Sequence, residues 1–346
     1  MLKKIINECR FTLTLETKGP FIIRDGRYEK KKKYDEGASN IPICWGKLPD
    51  NINADMKEAV KFVKDHCYVP GTSLRGVIRS HAEKIVRSIK DENNPLCCDP
   101  FDRNTPSKIS CSARMDKPPV TPPSERYKKI CLICRLFGCT GIASRIQIHD
   151  SPSPKNGEVI MRDGIGIDRF TGGVTSSSEE GKEPSGANFR NMVLQGYTFQ
   201  NEISIRNFEI WQLGLLAYVL RDLENELIPL GFGKSKGFGR VKGTINKVDL
   251  TYYKNNDNQL KGISELCEPN EIKAYDLISI PTDSVPLEEP LNVNEWDYRK
   301  VYSINTNPNN SGIGNSPFWG ACAKAWNQTI KEGKFQTITE LTKGDG

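Results

Sequence analysis

Pro70-Gly-Thr-Ser-Leu-Arg-Gly-Val-Ile-Arg-Ser-His-Ala-Glu-Lys-Ile-Val-Arg87 reads as a turn that opens into a helix. Thr72 or Ser73 can accept a bond from one of the first N–H groups, which have no partner inside the helix. Leu74, Val77, Ile78, Ala82, Ile85, Val86 and, just beyond, Ile89 recur at helical spacing, so one face belongs to a core. Arg75, Arg79, Lys84 and Arg87 lie on the other face, where they meet water or an anion.

The segments on either side fix the class. Upstream, residues 10–17 alternate, with Phe11, Leu13 and Leu15 against Thr12, Thr14 and Glu16. That is a strand with one buried face. Downstream, residues 143–150 form a second strand, and Gly164 to Gly173 turn. The Ser-, Glu- and Gly-rich stretch 174–187 reads as a hairpin tip. Residues 197–206 form a third strand. Residues 210–226 form a second amphipathic helix, with Ile210, Leu213, Ala217, Leu220 and Leu223 on its core face. A glycine-rich loop leads to a fourth strand, 240–250.

The order strand, helix, strands, helix, strand is that of an α+β protein with a modified ferredoxin-like, or RRM-like, fold. Beyond residue 250 the periodicity fades, although Trp296, Tyr298, Phe318, Trp319 and Trp326 imply that the tail packs on something. The expected organisation is a core over 1–250, interrupted by an insertion at about 94–139 and a hairpin at about 164–196. A C-terminal extension, 251–346, follows.

The chain of 346 residues carries 49 basic and 43 acidic side chains, a net charge of +6. This bias is compatible with a nucleic-acid partner but does not demand one. No window approaches the ~20 apolar residues of a membrane span. Lys3 and Lys4 precede too short an apolar stretch for a secretion signal, so the expected compartment is the cytoplasm.

The chain has 11 cysteines, and Cys97, Cys98, Cys111, Cys131, Cys134 and Cys139 crowd into the insertion. An odd total without an export signal argues against a disulfide framework and for a metal. Cys131-Leu-Ile-Cys134 is a knuckle that turns both sulfurs to one point. With Cys98 and Cys111 it completes a four-thiolate set suited to structural zinc. Cys97 is an alternative to Cys98, and Cys139 to any of the four. Pro118-Pro119 and Pro122-Pro123 exclude regular structure between these cysteines.

Three further clusters bear on binding. In Gly231-Phe-Gly-Lys-Ser-Lys-Gly-Phe-Gly239, Gly233-Lys-Ser matches the end of a Walker A motif. The first glycine of that motif would fall at Ile228, and the loop leads into a strand, so a nucleotide triphosphatase is excluded. A flexible backbone bearing Lys234, Ser235, Lys236 and Arg240 remains, able to approach a polyanion closely. The start of the helix at 71, with Arg75 and Arg79 one turn apart, favours phosphate. In Gly164-Ile-Gly-Ile-Asp-Arg-Phe-Thr-Gly-Gly173, Arg169 and Phe170 can stack against or wedge between bases.

Taken in order, these elements resemble the RAMP superfamily, specifically the backbone subunits of type III CRISPR effectors. Tyr68-Val-Pro-Gly-Thr-Ser-Leu-Arg-Gly76 resembles the family's helix start, and Arg135-Leu-Phe-Gly138 its Leu-Phe-Gly element. Ser144-Arg-Ile146 resembles the following strand, Gly166-Ile-Asp-Arg169 the start of the thumb hairpin, and Gly231 to Gly239 the C-terminal glycine-rich loop. Cysteines before Leu-Phe-Gly resemble the zinc-bearing members of types III-D and III-E.

The resemblance implies a protein that packs beside other RAMP subunits along a CRISPR RNA and recognises target RNA through guide pairing. Its implied RNA-binding residues are Thr72, Ser73, Arg75, Arg79, Arg145, Arg169, Phe170, Lys234, Ser235, Lys236 and Arg240.

Many such subunits cut target RNA with an acidic residue in the loop before the first helix, together with Mg2+ or another divalent metal. This chain departs from that pattern. Asn40-Ile-Pro-Ile43 has Asn where relatives carry Asp, which leaves Asp35, then Asp25, as the candidate carboxylate. Three readings follow: an endoribonuclease subunit, a scaffold subunit without catalysis, or a standalone CRISPR-RNA processing endoribonuclease. The third ranks last, because His66, His81 and His149 form no evident acid–base pair in the sequence.

Overall fold

Strand β1 (Asn7–Thr17) lies near the middle of the main sheet, and its alternation survives intact. Cys9, Phe11, Leu13 and Leu15 are buried, whereas Arg10, Thr12 and Glu16 are exposed. The computed structural model describes residues 3–24, 41–45, 56–89, 95–105, 109–115, 122–152, 157–173, 176–177, 185–186, 188–253, 259–278, 284–286, 292–296, 298–307 and 312–342.

After β1 come α1 (Met56–His66) and α2 (Gly71–Arg87). The insertion carries α3 (Cys111–Met115), α4 (Pro123–Lys128) and α5 (Leu132–Phe137). Strand β2 (Ile146–Ile148) is followed by a hairpin of β3 (Glu158–Ile165) and β6 (Asn188–Gln195), with the short pair β4 (Ser176–Ser177) and β5 (Ser185–Gly186) between them. Then come β7 (Thr198–Arg206), α6 (Ile210–Glu224), a 3-10 turn at Lys234–Lys236, β8 (Val241–Thr244) and β9 (Lys247–Tyr252). The remainder holds β10 (Gln259–Lys261), α7 (Ile263–Leu266), α8 (Pro269–Tyr275), β11 (Ser284–Pro286), β12 (Asn292–Trp296), β13 (Arg299–Asn305), α9 (Pro317–Lys331) and α10 (Ile338–Thr342).

The main sheet runs β12-β13-β9-β1-β7-β2, with β8 also on β1, and every pair is antiparallel. The strands β8 and β9 lie beside β1, β1 beside β7, and β7 beside β2. With α2 and α6 as the two helical connections, this is the split βαβ arrangement of a ferredoxin-like fold.

Local readings needed correction. The fourth strand, expected as one run over 240–250, is two: β8 and β9 divide around Ile245 and Asn246. The second strand is confined to Ile146–Ile148. The proline-rich insertion is not devoid of helix, because Pro123 sits in the first turn of α4, where the missing N–H has no role in any case. Neither Thr72 nor Ser73 caps α2. Its N-cap is Pro70, without a side-chain cap, and the Gly71 N–H donates to Asp150 Oδ1 at 2.7 Å instead.

Helix α6 is buried around most of its circumference, including Trp211, Leu215, Leu216 and Val219 off the expected face. A helix apolar on all sides needs cover on all sides, and α9 supplies it. A Cβ on Gly214 would lie 2.2 Å from the Cys322 carbonyl oxygen and 2.7 Å from Trp326 Cβ, so glycine permits this close crossing. The tail also inserts aromatic rings into the core. Trp319 meets Phe11 edge-on at 5.6 Å, and Phe335 meets Trp211 edge-on at 4.9 Å. Such pairs add about 0.5–1.5 kcal/mol beyond the area they bury.

Candidate metal centre and RNA-facing surface

Cys98, Cys111, Cys131 and Cys134 are buried, and their sulfurs all lie within 4.8 Å of one another. Cys131 Sγ is 3.7 Å from Cys98 Sγ, which is 3.8 Å from Cys134 Sγ. A Zn–S bond of about 2.3 Å in tetrahedral geometry requires sulfur–sulfur edges of about 3.8 Å. The donor set therefore fits zinc. The knuckle helps form it: Cys131 is the N-cap of α5 and Cys134 lies in its first turn. The Cys131 N–H donates to Cys111 Sγ at 3.3 Å.

Of the two alternates, Cys139 borders the group, sharing a side-chain bond with Cys134. The Cys97 thiol faces the Glu83 carbonyl at 3.8 Å, and that of Cys139 faces the Thr140 carbonyl at 3.8 Å.

Protonation follows from crowding. The Cys131 thiol is held well below the ordinary thiol range, because Cys111, Cys134 and Cys98 share bonds with it. Cys111 and Cys134 are pushed up by the same shared bonds and by burial. Four buried sulfurs cannot all ionise without a cation, and a divalent ion bound here supplies the charge that lets them do so.

Arg75 and Arg79 are turned onto this insertion. Arg75 Nη2 donates to the Phe137 carbonyl, and Arg79 Nη1 to the Gly138 carbonyl at 3.1 Å. Arg79 also holds Glu83 at 3.0 Å and donates to Cys134 Sγ at 3.6 Å. Burial works against the Arg79 charge, but the Cys134 sulfur and Glu83 more than offset it, so its pKa is raised. The two side chains bind α2 to the turn after α5. At the start of α2, Thr72 is exposed and Ser73 half-buried. The Asp150 carboxylate already occupies the first N–H, so an incoming phosphate would meet like charge there.

Arg145 requires a correction. It is 4% exposed, and its Nη1 lies 2.5 Å from the Asn207 carbonyl and 3.4 Å from Glu209 Oε1. Its guanidinium lies 4.9 Å from the centre of the Tyr127 ring. Glu209 is fully buried, caps α6 in a capping box with Gln212, and accepts from Tyr127 and the Ile278 N–H. Arg145 is a core cation that neutralises Glu209, and RNA has no access to it.

The glycine-rich loop is tied into the fold by its backbone. Gly231, Gly233, Gly237 and Gly239 all have positive φ, a region that side chains rarely adopt. A Cβ at Gly231 would meet the Ile22 carbonyl oxygen at 2.2 Å, and one at Gly239 the Leu230 carbonyl oxygen at 2.3 Å. Backbone bonds from Phe232 to Ile22 and from Gly239 to Pro20, each 2.8 Å, stitch the loop to the segment after β1. Its crest, Lys234-Ser-Lys236, is exposed. Arg240 pairs with Glu226 at 2.5 Å and remains 66% exposed, so that pair contributes little.

The hairpin of β3 and β6 pairs from Glu158 with Gln195 to Ile165 with Asn188. Beyond it, Asp168 Oδ1 accepts the N–H groups of Phe170 and Thr171, each at 2.8 Å, and the Thr171 hydroxyl at 3.1 Å. These bonds, from Thr171 first, lower the Asp168 pKa. The Phe170 side chain is fully exposed, and Ile165 and Ile167 are 63% and 68% exposed.

Asp25 and Asp35 lie outside the described residues. Residues on either side of them are described: Arg24 and Pro42 form an antiparallel bridge, and the Arg24 guanidinium lies 4.5 Å from the centre of the Phe232 ring.

Sequence reasoning missed Asp150, Glu83 and Glu209, since nothing local marks an acid as the partner of a distant group. It also missed the pair His81–Asp222, 2.8 Å apart, which ties α2 to α6.

A ferredoxin-like sheet with an exposed lysine-crested loop before β8 and a hairpin before β7 defines an α+β protein suited to a polyanion. Residues 14–242 match the sequence model of the RAMP superfamily, and the chain belongs to that superfamily. Membership implies a CRISPR-associated RNA-binding subunit of the kind that works in RNA–protein complexes. No curated protein matches the chain. Among the described residues, no helix is long and apolar enough to cross a membrane.

Proposed function

We propose that this chain is a CRISPR-RNA-binding backbone subunit of a type III effector complex, packed against other RAMP subunits and engaged in recognising target RNA. The observation that carries this reading is the turn after β3 in the hairpin. Phe170 is fully exposed beside Arg169, and three bonds to Asp168 hold its turn. An apolar ring held in water has no folding role, whereas between nucleotides it replaces base stacking. Lys234, Ser235 and Lys236 serve the RNA backbone. Guide–target pairing supplies sequence specificity, and the protein reads backbone and shape. The four-cysteine centre holds zinc that orders the insertion, in keeping with a type III-D or III-E subunit.

A second reading gives this subunit the cut in target RNA. In its favour, the sequence segment that carries Asp25 and Asp35 lies between Arg24 and Pro42, which form a bridge, and the Arg24 guanidinium lies over Phe232 of the glycine-rich loop. A carboxylate with a divalent metal such as Mg2+ supplies the chemistry that this reading requires. Cleavage by the complex reconstituted with guide RNA and Mg2+ separates the readings. If Asp35→Ala removes one cut while target binding persists, Asp35 is the carboxylate. If neither Asp35→Ala nor Asp25→Ala changes any cut, the chain is a scaffold.

A further inference from the structure

Beside the start of α2 lies an aromatic surface that the RNA-binding set above does not use. Cys44 and Cys67 face each other in an antiparallel bridge. The flanking bonds run from the Trp45 N–H to the His66 carbonyl at 2.9 Å and from the Tyr68 N–H to the Ile43 carbonyl at 3.3 Å. Successive side chains of a strand point to opposite faces. Cys44 and Cys67 are buried, so Ile43, Trp45, His66 and Tyr68 share the outer face. Trp45 and Tyr68 are diagonal neighbours on that face, within reach of aromatic side chains. Their rings stack with centroids 4.1 Å apart and planes at 22°. Phe62 and His66 stack alongside, at 4.3 Å and 15°.

One face of the Trp45 indole lies on Tyr68, and the side chain is still 46% exposed. The ladder continues inward, since the Ile43 N–H donates to the Ile23 carbonyl at 2.7 Å and the Phe232 N–H to that of Ile22 at 2.8 Å. The aromatic face therefore belongs to the same stitched backbone as the lysine-crested loop, two strand spacings away, and begins two residues before Pro70. An exposed lysine crest and a half-open indole on one stitched backbone are the combination that single-stranded nucleic acid recognises, backbone on charge and base on ring.

We infer that Trp45, backed by Tyr68, is a stacking platform for a nucleobase of the bound RNA. This inference rests on the RNA-binding reading above and adds to it a second aromatic contact, independent of Phe170. Stacking is tolerant of base identity, because every base presents a π-face, so the platform takes single-stranded RNA of any sequence.

The test uses the full-length chain and iodouridine-substituted single-stranded oligouridylate. Photocrosslinked peptides are mapped by mass spectrometry, and affinity is measured over a salt series. The expected results are a crosslink at Trp45 or Tyr68 and an affinity about tenfold lower for Trp45→Ala. The salt dependence should be unchanged, because no phosphate contact is lost. Trp45→Phe, which keeps a ring, should retain most of the affinity and controls for folding.

Wild-type affinity for Trp45→Ala, with crosslinks elsewhere, would overturn the platform and leave the RNA-binding reading standing. So would intact RNA binding with weakened assembly of neighbouring subunits, which would make the face a protein contact. If the wild-type chain has no affinity for RNA, both readings fall.

Discussion

Arg145 follows Ser144 in a stretch that resembles a family element, and the resemblance implied an RNA contact there. Its real environment is set by Glu209 and Tyr127, residues far away in the chain. No local pattern encodes that meeting, so the sequence carries the charge but not its partner. The reverse holds for Phe170, whose exposure follows from the turn signal around it. Arg145→Met would leave the Glu209 carboxylate buried without its cation. Breaking such a pair costs about 3–5 kcal/mol. The urea unfolding midpoint should fall accordingly, while the molecules that remain folded keep wild-type RNA affinity. Unchanged stability with lost RNA affinity would make Arg145 an RNA contact.

At the scale of elements, spacing and chemistry carried the reading where the interactions are local. Helix α2, helix α6 and strand β1 were legible from periodicity, and Cys98, Cys111, Cys131 and Cys134 from knuckle spacing. The anchoring of the glycine-rich loop was not legible, because it comes from bonds to Ile22 and Pro20, outside the loop. Nor was the inward turn of Arg75 and Arg79, which depends on carbonyls at the end of α5 and just after it.

The metal centre gives a prediction with a definite sign. Zinc binds thiolates, and Cys111 and Cys134 hold their protons more tightly than ordinary thiols. Binding must therefore release protons, and affinity must fall as pH falls. Elemental analysis should find stoichiometric zinc at neutral pH, release on acidification, and none in Cys134→Ser. In that variant the segment 95–139 should become the first site of proteolysis while the sheet persists. Zinc retained in Cys134→Ser would contradict this ligand set.

At the scale of the whole molecule, the ferredoxin-like order was readable from the succession of elements, but the reach of the tail was not. Strand β13 pairs with β9 and α9 covers α6. These are contacts between segments distant in sequence, and only the density of aromatic residues hinted at them. The sheet is thereby wider, and α6 more deeply enclosed, than the amphipathic pattern implied.

Binding of the zinc-loaded, full-length chain to a labelled single-stranded CRISPR RNA, followed by fluorescence anisotropy over a salt series with duplex DNA of the same sequence as comparator, tests the central claim most directly. The predicted result is preferential RNA binding whose log affinity falls linearly with log salt, with a slope reduced by about 1 in Lys234→Gln and in Arg169→Gln. An affinity for RNA no greater than for the duplex, or one indifferent to salt and to both substitutions, would contradict it.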